Sequence, residues 1–95
     1  MRHYAEPVEV RPGRVGGIEG PEQFLWRRRL YLVRDVLAYW VESGSWWRAG
    51  GAGFPERQVW RVEAGRGQGQ GRVIVDLALE SEPGAGRWLL LRTYD

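Results

Sequence analysis

Arginine and tryptophan cluster at two places in this sequence, and these clusters are its best candidates for binding chemistry. The planar guanidinium group pairs with carboxylates and phosphates through several N–H donors. Tryptophan beside arginine is typical of protein-binding hot spots and of surfaces that stack single-stranded bases. The predicted contact residues for a partner are Arg27, Arg28, Arg29, Trp46, Trp47 and Arg48.

Each cluster also has a purely structural interpretation. Arg27 to Arg29 separate two apolar runs, so they could form a solvated hairpin turn, although a tight turn there favours glycine or asparagine. On an extended backbone, adjacent side chains face opposite ways. One of Trp46 and Trp47 should therefore point outward, unless both close over the end of the core.

Catalytic and metal-binding groups are scarce. The only histidine, His3, lies near the N-terminus, and the chain has no cysteine. Glu80 and Glu82 are two positions apart but border a predicted turn. The glycine-rich stretch from Gly65 to Gly71 leads into an apparent strand, whereas a phosphate-binding loop leads into a helix N-terminus. We therefore expect no enzyme activity, no cofactor and no metal site.

The length and the net charge of the chain restrict its domain organisation and its classes of partner. The 95 residues predict one small domain spanning residues 1–95. All fourteen basic residues are arginine, and twelve carboxylates nearly balance them, which leaves a net charge of +2. Any nucleic-acid binding would then depend on a local patch. No apolar run is long enough to cross a membrane and no export signal is evident, so a cytoplasmic location is expected.

Turn-forming residues divide the chain into short apolar segments. Strands are predicted at Pro7–Val10, Phe24–Trp26, Gln58–Val62, Arg72–Leu79 and Arg87–Tyr94, with turns at Arg11–Gly13, Gly16–Gly17 and Gly20–Pro21. The tryptophans inside these strands, Trp26, Trp60 and Trp88, are predicted to pack in the core.

The segment from Leu30 to Val41 has an ambiguous period. Its apolar residues fit a helix face nearly as well as a strand face. Its valine, tyrosine and tryptophan content favours a strand, and the three arginines before it are poor helix caps. If it is a strand, it should be long and bulged. We therefore predict an all-β domain, a five- to six-stranded antiparallel meander that closes into a small barrel or a strongly curved sheet.

One set of residues resembles a known pattern. A small domain-of-unknown-function family, which is similar to the C-terminal domain of ImuB-type proteins, shares this pattern over residues 5–94. The matching positions are Phe24, Trp26, Arg27, Arg29, Tyr31, Val33, Trp40, Trp46, Trp47, Arg48, Trp60, Arg61, Val62, Glu63 and Trp88. The family commonly has glycine where this chain has Arg28.

The resemblance implies a function without catalysis. ImuB-type proteins are Y-family DNA polymerase homologues without polymerase activity, and they act in translesion synthesis. The resemblance thus implies a protein-interaction module associated with DNA damage tolerance, with a partner in the translesion polymerase machinery. The alternative expectation is a small β-barrel that binds single-stranded nucleic acid through the same arginines and tryptophans.

Overall fold

A computed structural model describes residues 1–43, 56–66, 71–80 and 86–94 of the chain. These residues form a single antiparallel sheet. Its seven strands are β1 (Arg2–Pro7), β2 (Glu9–Val15), β3 (Ile18–Trp26), β4 (Arg29–Ser43), β5 (Glu56–Gly65), β6 (Val73–Glu80) and β7 (Arg87–Tyr94). The predicted all-β class is confirmed.

The strand order, β1-β7-β6-β5-β4-β3-β2, requires the sheet to curl. Strands β1 and β2 form its two edges, yet Val8 alone connects them along the chain. Across a flat sheet these edges would lie about 28 Å apart, six spacings of nearly 5 Å, and one residue cannot span that distance. The Val8 amide donates to the Trp88 carbonyl oxygen at 3.2 Å. This hydrogen bond holds Val8 against β7 at the place where the chain passes from one edge strand to the other.

Of the two predicted architectures, a small barrel or a strongly curved sheet, the barrel was wrong, and so was the count of five or six strands. No backbone ladder joins β1 to β2 in the described part of the chain, so the curled sheet stays open. The strand count was too low because the predicted strand Pro7–Val10 is in fact the junction of two strands, β1, which pairs with β7, and β2, which pairs with β3. The turn predicted at Arg11–Gly13 was also wrong, because β2 continues through Pro12 and Gly13. Proline is tolerated there because β2 is an edge strand with a bulge beside Pro12.

The turn predicted at Gly20–Pro21 is also absent, because both residues lie within β3 and are buried. Gly20 is buried because the Trp60 ring packs directly on its backbone. The Gly16–Gly17 turn is confirmed, with φ angles of 58° and 83°.

The ambiguous segment is strand β4, which is long and bulged as predicted for a strand. Its register with β5 shifts between Val33 and Asp35 and again between Val36 and Ala38. Each bulge adds one residue and reverses the alternation of side chains. Two such reversals in a short span explain why the apolar spacing also resembles a helix.

The main core lines the inner, concave face of the sheet. Its fully buried members come from β3, β5, β6 and β7, and include Phe24, Val62, Val75, Leu77 and Leu90. Trp26, Trp60 and Trp88 all pack in or against this core, which confirms the prediction made for them. A second, smaller apolar cluster on the outer face contains Val59, Ala78, Leu89 and Leu91, with Trp40 against it.

Candidate interaction surface

The β3–β4 hairpin turns through Arg27 and Arg28 alone. Trp26 and Arg29 are paired across the two strands, so Arg29 already belongs to β4. Arg27 and Arg28 have φ angles of 52° and 67°. Such left-handed conformations cost roughly 1–2 kcal/mol per non-glycine residue. The tight turn therefore carries backbone strain at two consecutive arginines, a feature that concentrates at functional sites.

Arg27 is held in place by residues of β1 and β3. Its Nη2 and Nε atoms donate to the two carboxylate oxygens of Glu6 at 2.7 and 3.2 Å. Its guanidinium group lies 5.0 Å from the Tyr4 ring centre and 4.8 Å from that of Trp26. The Trp26 indole N–H also donates to Glu6, at 2.9 Å. Arg27 therefore fastens the turn to the first strand, and its charge is largely compensated.

The pKa values reflect this pairing. The hydrogen bond from Arg27, helped by that from Trp26, lowers the pKa of the Glu6 carboxyl group. The same hydrogen bond raises the pKa of Arg27. Both groups therefore stay charged over a wider pH range than free side chains do.

Arg28 and Arg29 are exposed, and neither has a side-chain partner among the described residues. They differ in the face they occupy. Arg29 lies opposite Trp26 in register and shares its face of the hairpin. Arg28 lines a shallow cavity of about 250 Å³ together with Leu25, Val8 and Glu9. Arg27 lines the same cavity, but its guanidinium group is already bound to Glu6. Of the two arginines without a side-chain partner among the described residues, Arg28 is therefore the one positioned to reach a ligand beside Leu25.

Three leucines on the outer face of the hairpin were not predicted as contact residues. Leu25, Leu30 and Leu32 are 40%, 48% and 44% exposed, and Leu25 and Leu30 are directly opposite each other. The signal in the sequence was that both faces of this hairpin are apolar. Phe24 and Tyr31 already fill its inner face by stacking at 5.0 Å, so the leucines remain outside.

The other predicted contact residues, Trp46, Trp47 and Arg48, lie outside the described residues. The structure therefore brings Arg28 together with Leu25 and Leu30, and it directs Arg29 to the other face. The side chain of Arg27 instead binds Glu6 and so holds the turn against β1.

A polar cluster on the outer face of β5, β6 and β7 centres on Asp76, which is fully buried. The Nε atom of Arg61 donates to one carboxylate oxygen at 3.0 Å, and the Tyr94 hydroxyl donates to the other at 2.7 Å. Arg92 lies 3.0 Å from the second oxygen, but its N–H is not aimed at it, so that contact is an ion pair. Burial, with the hydrogen bond to Asp76, raises the pKa of Tyr94. This enclosed cluster is suited to fixing three strands.

Other residues considered for catalysis are engaged or exposed. Glu80 is paired with Arg57 and Arg87, and Glu82 lies outside the described residues. His3 is exposed within β1. In the ranges that the structure covers, no group of three histidine or acidic side chains could hold a metal ion.

The glycine-rich stretch connects β5 to β6, so the prediction that it leads into a strand is confirmed. A cavity of about 520 Å³ lies beside its described ends, and its lining includes Tyr31, Arg66 and Arg72. Arg72 contacts Glu63 at 3.5 Å. Residues 67–70 of the connection lie outside the described residues.

No helix in the described ranges is long and apolar enough to cross a membrane. Comparison with curated proteins finds no match, and comparison with solved structures finds none either. One family model matches residues 1–95, the full length of the chain. The chain therefore belongs to the family described as a domain of unknown function, DUF6504.

Proposed function

We propose that this domain is a non-catalytic protein-interaction module and that it binds its partner through the outer face of the β3–β4 hairpin. The observation that carries this proposal is the exposed leucine pair beside Arg28, which has no side-chain partner among the described residues. Leu25 and Leu30 form an apolar contact area, and Arg28 lies at its end. Clustered exposed leucines are unusual on a small domain unless something covers them.

The same surface favours a protein over a single nucleic-acid strand. Stacking of bases needs exposed aromatic rings beside the cations. In the described ranges, Trp60 is buried, while Trp26, Trp40 and Trp88 are only partly exposed. Tyr39 is 49% exposed, but it lies ten residues along β4 from Arg29, away from the hairpin tip. The apolar side chains beside Arg28, those of Pro7, Val8 and Leu25, are aliphatic, and aliphatic side chains suit a protein partner. The near-neutral total charge points the same way.

We further propose that the partner belongs to the machinery of DNA damage tolerance. The resemblance of residues 5–94 to the C-terminal domain of ImuB-type proteins supports this assignment. It concerns the identity of the partner and is separate from the proposed contact surface.

Site-specific photocrosslinking in the cells of origin tests both parts. A photoreactive phenylalanine analogue would replace Leu30, and a control chain would carry it at Ile18. Ile18 is equally exposed at 48% but lies at the β2–β3 turn. We expect a protein crosslink from position 30 that is missing from position 18 and survives nuclease treatment.

Identical products from both positions would refute the contact surface, as would no product from position 30. A nuclease-sensitive product would support the nucleic-acid alternative. A specific partner without any link to DNA synthesis or repair would refute only the assignment to damage tolerance.

A further inference from the structure

We propose that the outer face of the hairpin recognises an acidic peptide segment of the partner, with a large apolar side chain at its centre. The apolar side chain would lie over Leu25 and Leu30, and a flanking carboxylate would pair with Arg28. This inference rests on the proposed function and adds the chemical class of the partner.

Two shallow cavities meet at this place. The first, of about 250 Å³, reaches from Leu25 to Arg28, and the second, of about 390 Å³, reaches from Leu25 to Leu30 and Arg11. Both cavities are lined by Leu25 and Glu9. The two cavities therefore adjoin at Leu25, and we call them together the Leu25 groove, with Arg28 in one cavity and Arg11 in the other.

Cations outnumber acids in the lining of the groove, where Arg11, Arg27 and Arg28 stand against Glu9. In the described part of the chain neither Arg28 nor Glu9 has a side-chain partner, and Arg29 adds a further unpaired cation on the Trp26 side of the hairpin tip. Arg27 is compensated by Glu6, and Arg11 lies 3.7 Å from Glu22. A partner with carboxylates is therefore attracted to the tip, and Glu9 reduces that attraction.

The backbone at Arg28 gives an independent reason to assign a role to its side chain. With φ at 67°, this position favours glycine, which would relieve the strain. An arginine at this position lowers the stability of the fold and places an exposed cation beside an apolar groove. Strain of this kind is a known property of binding sites.

The neighbouring Arg29 provides a matched control. It carries the same charge and is equally unpaired among the described residues, but it lies on the Trp26 side of the hairpin. A specific ion pair in the groove would distinguish the two positions, whereas general attraction between opposite charges would not.

The experiment titrates the ¹⁵N-labelled full chain with three synthetic peptides at physiological ionic strength, and NMR follows the backbone amides. The first peptide has an apolar centre between glutamates. The second has the same centre between lysines, and the third has glutamates around a serine centre. We expect saturable shifts at Leu25, Leu30 and Arg28 with the first peptide only.

Variants then test the groove. We expect Arg28→Glu to weaken binding of the first peptide by about tenfold, and Arg29→Glu by less than about twofold, since screening acts over about 8 Å. Glu9→Gln should tighten binding by about twofold to threefold because a repelling charge is removed. Leu30→Asp should abolish binding while the amide spectrum stays dispersed, and Leu25→Asp provides a second apolar test.

Several results would overturn the inference. Equal binding of the acidic and basic peptides would show that charge does not select the partner. Equal weakening by Arg28→Glu and Arg29→Glu would show that no specific ion pair forms at Arg28. If no peptide binds while the Leu30 crosslink is still obtained, the proposed interaction surface stands and the acidic class of partner falls. If a single-stranded oligonucleotide shifts the same amides and no peptide binds, the ligand of this surface is nucleic acid and not a protein segment.

Discussion

Glu6 and Arg27 lie 21 positions apart in the chain, and two hydrogen bonds join their side chains, at 2.7 and 3.2 Å. Glu6 is on edge strand β1, while Arg27 is in the turn between β3 and β4. Four strands separate β1 from β3 in the sheet order, so this pair spans the open side of the curled sheet. The Tyr4 and Trp26 rings meet edge to face at the same place, with centres 5.4 Å apart. Side chains thus connect the two sides where backbone pairing does not.

Replacement of Glu6 should therefore make stability depend less on pH. The pKa of Glu6 is lowered in the folded chain, so its contribution is fully present above the ordinary value of 4.5 and is lost as pH falls through the lowered value. We expect Glu6→Gln to lower the urea midpoint at neutral pH and to approach the wild type in acid. Glu9→Gln is the control, because Glu9 is exposed and has no ion-pair partner within the described ranges. A gap between wild type and Glu6→Gln that stays constant with pH would contradict the ion pair.

Glycine at position 28 should stabilise the fold. The left-handed conformation costs a non-glycine residue roughly 1–2 kcal/mol, and glycine loses about 0.5–1 kcal/mol through greater freedom in the unfolded chain. We expect Arg28→Gly to raise the free energy of unfolding in urea by about 0.5–1 kcal/mol.

Arg29→Gly is the matched control for this change. It places glycine at the first residue of β4, where no left-handed conformation is needed, and should lower stability by about 0.5–1 kcal/mol. The prediction for position 28 fails if both glycine variants lose stability equally.

Loss of the Asp76 carboxylate should be strongly destabilising. Arg61 and Arg92 both lie 3.0 Å from this buried group, and they would be left without their shared anion. Removal of one member of a buried ion pair typically costs 3–5 kcal/mol, and we expect about 3 kcal/mol for Asp76→Ala because both guanidinium groups retain access to water.

Asp35→Ala is the comparison, because Asp35 is exposed at a bulge of β4. Its effect should stay within about 0.5 kcal/mol. Thermal denaturation of the two variants measures the difference. Similar melting temperatures would show that Asp76 does not hold the three strands together.

A methyl group at Gly20 should disturb the packing of Trp60. The added Cβ would lie 2.8 Å from the indole nitrogen, which now donates to the Glu19 carbonyl oxygen. We expect Gly20→Ala to cost about 1–3 kcal/mol and to shift the tryptophan emission. Gly71→Ala is the control because no atom lies within 4 Å of its added carbon. An unchanged emission spectrum in a folded Gly20→Ala chain would contradict the close contact.

Several parts of the fold could be predicted from local patterns. Strand β7 begins at Arg87 and ends at Tyr94 as expected, because an apolar run there is bounded by turn-forming residues. The core positions of Trp26, Trp60 and Trp88 also followed from their place within strands. These features depend on residues near one another in the chain, and a local sequence pattern contains that information.

The candidate site could be predicted only in part. The sequence pointed to Arg27, Arg28 and Arg29 as one group, but it could not separate their roles. The turn gives them different directions: Arg27 meets Glu6, Arg28 lines the Leu25 groove, and Arg29 shares a face with Trp26. A two-residue turn, rather than the longer tip expected from three arginines, produces this division.

The amino-acid sequence by itself therefore determined the all-β class, most of the strands and the absence of cysteine chemistry. Alternation, turn residues and composition are sufficient for those conclusions. Only the tertiary structure decided that the sheet has seven strands, that it curls without closing, and that Glu6 meets Arg27. These features depend on strand order and on contacts between distant residues, and a local period of two carries no information about which strands become neighbours.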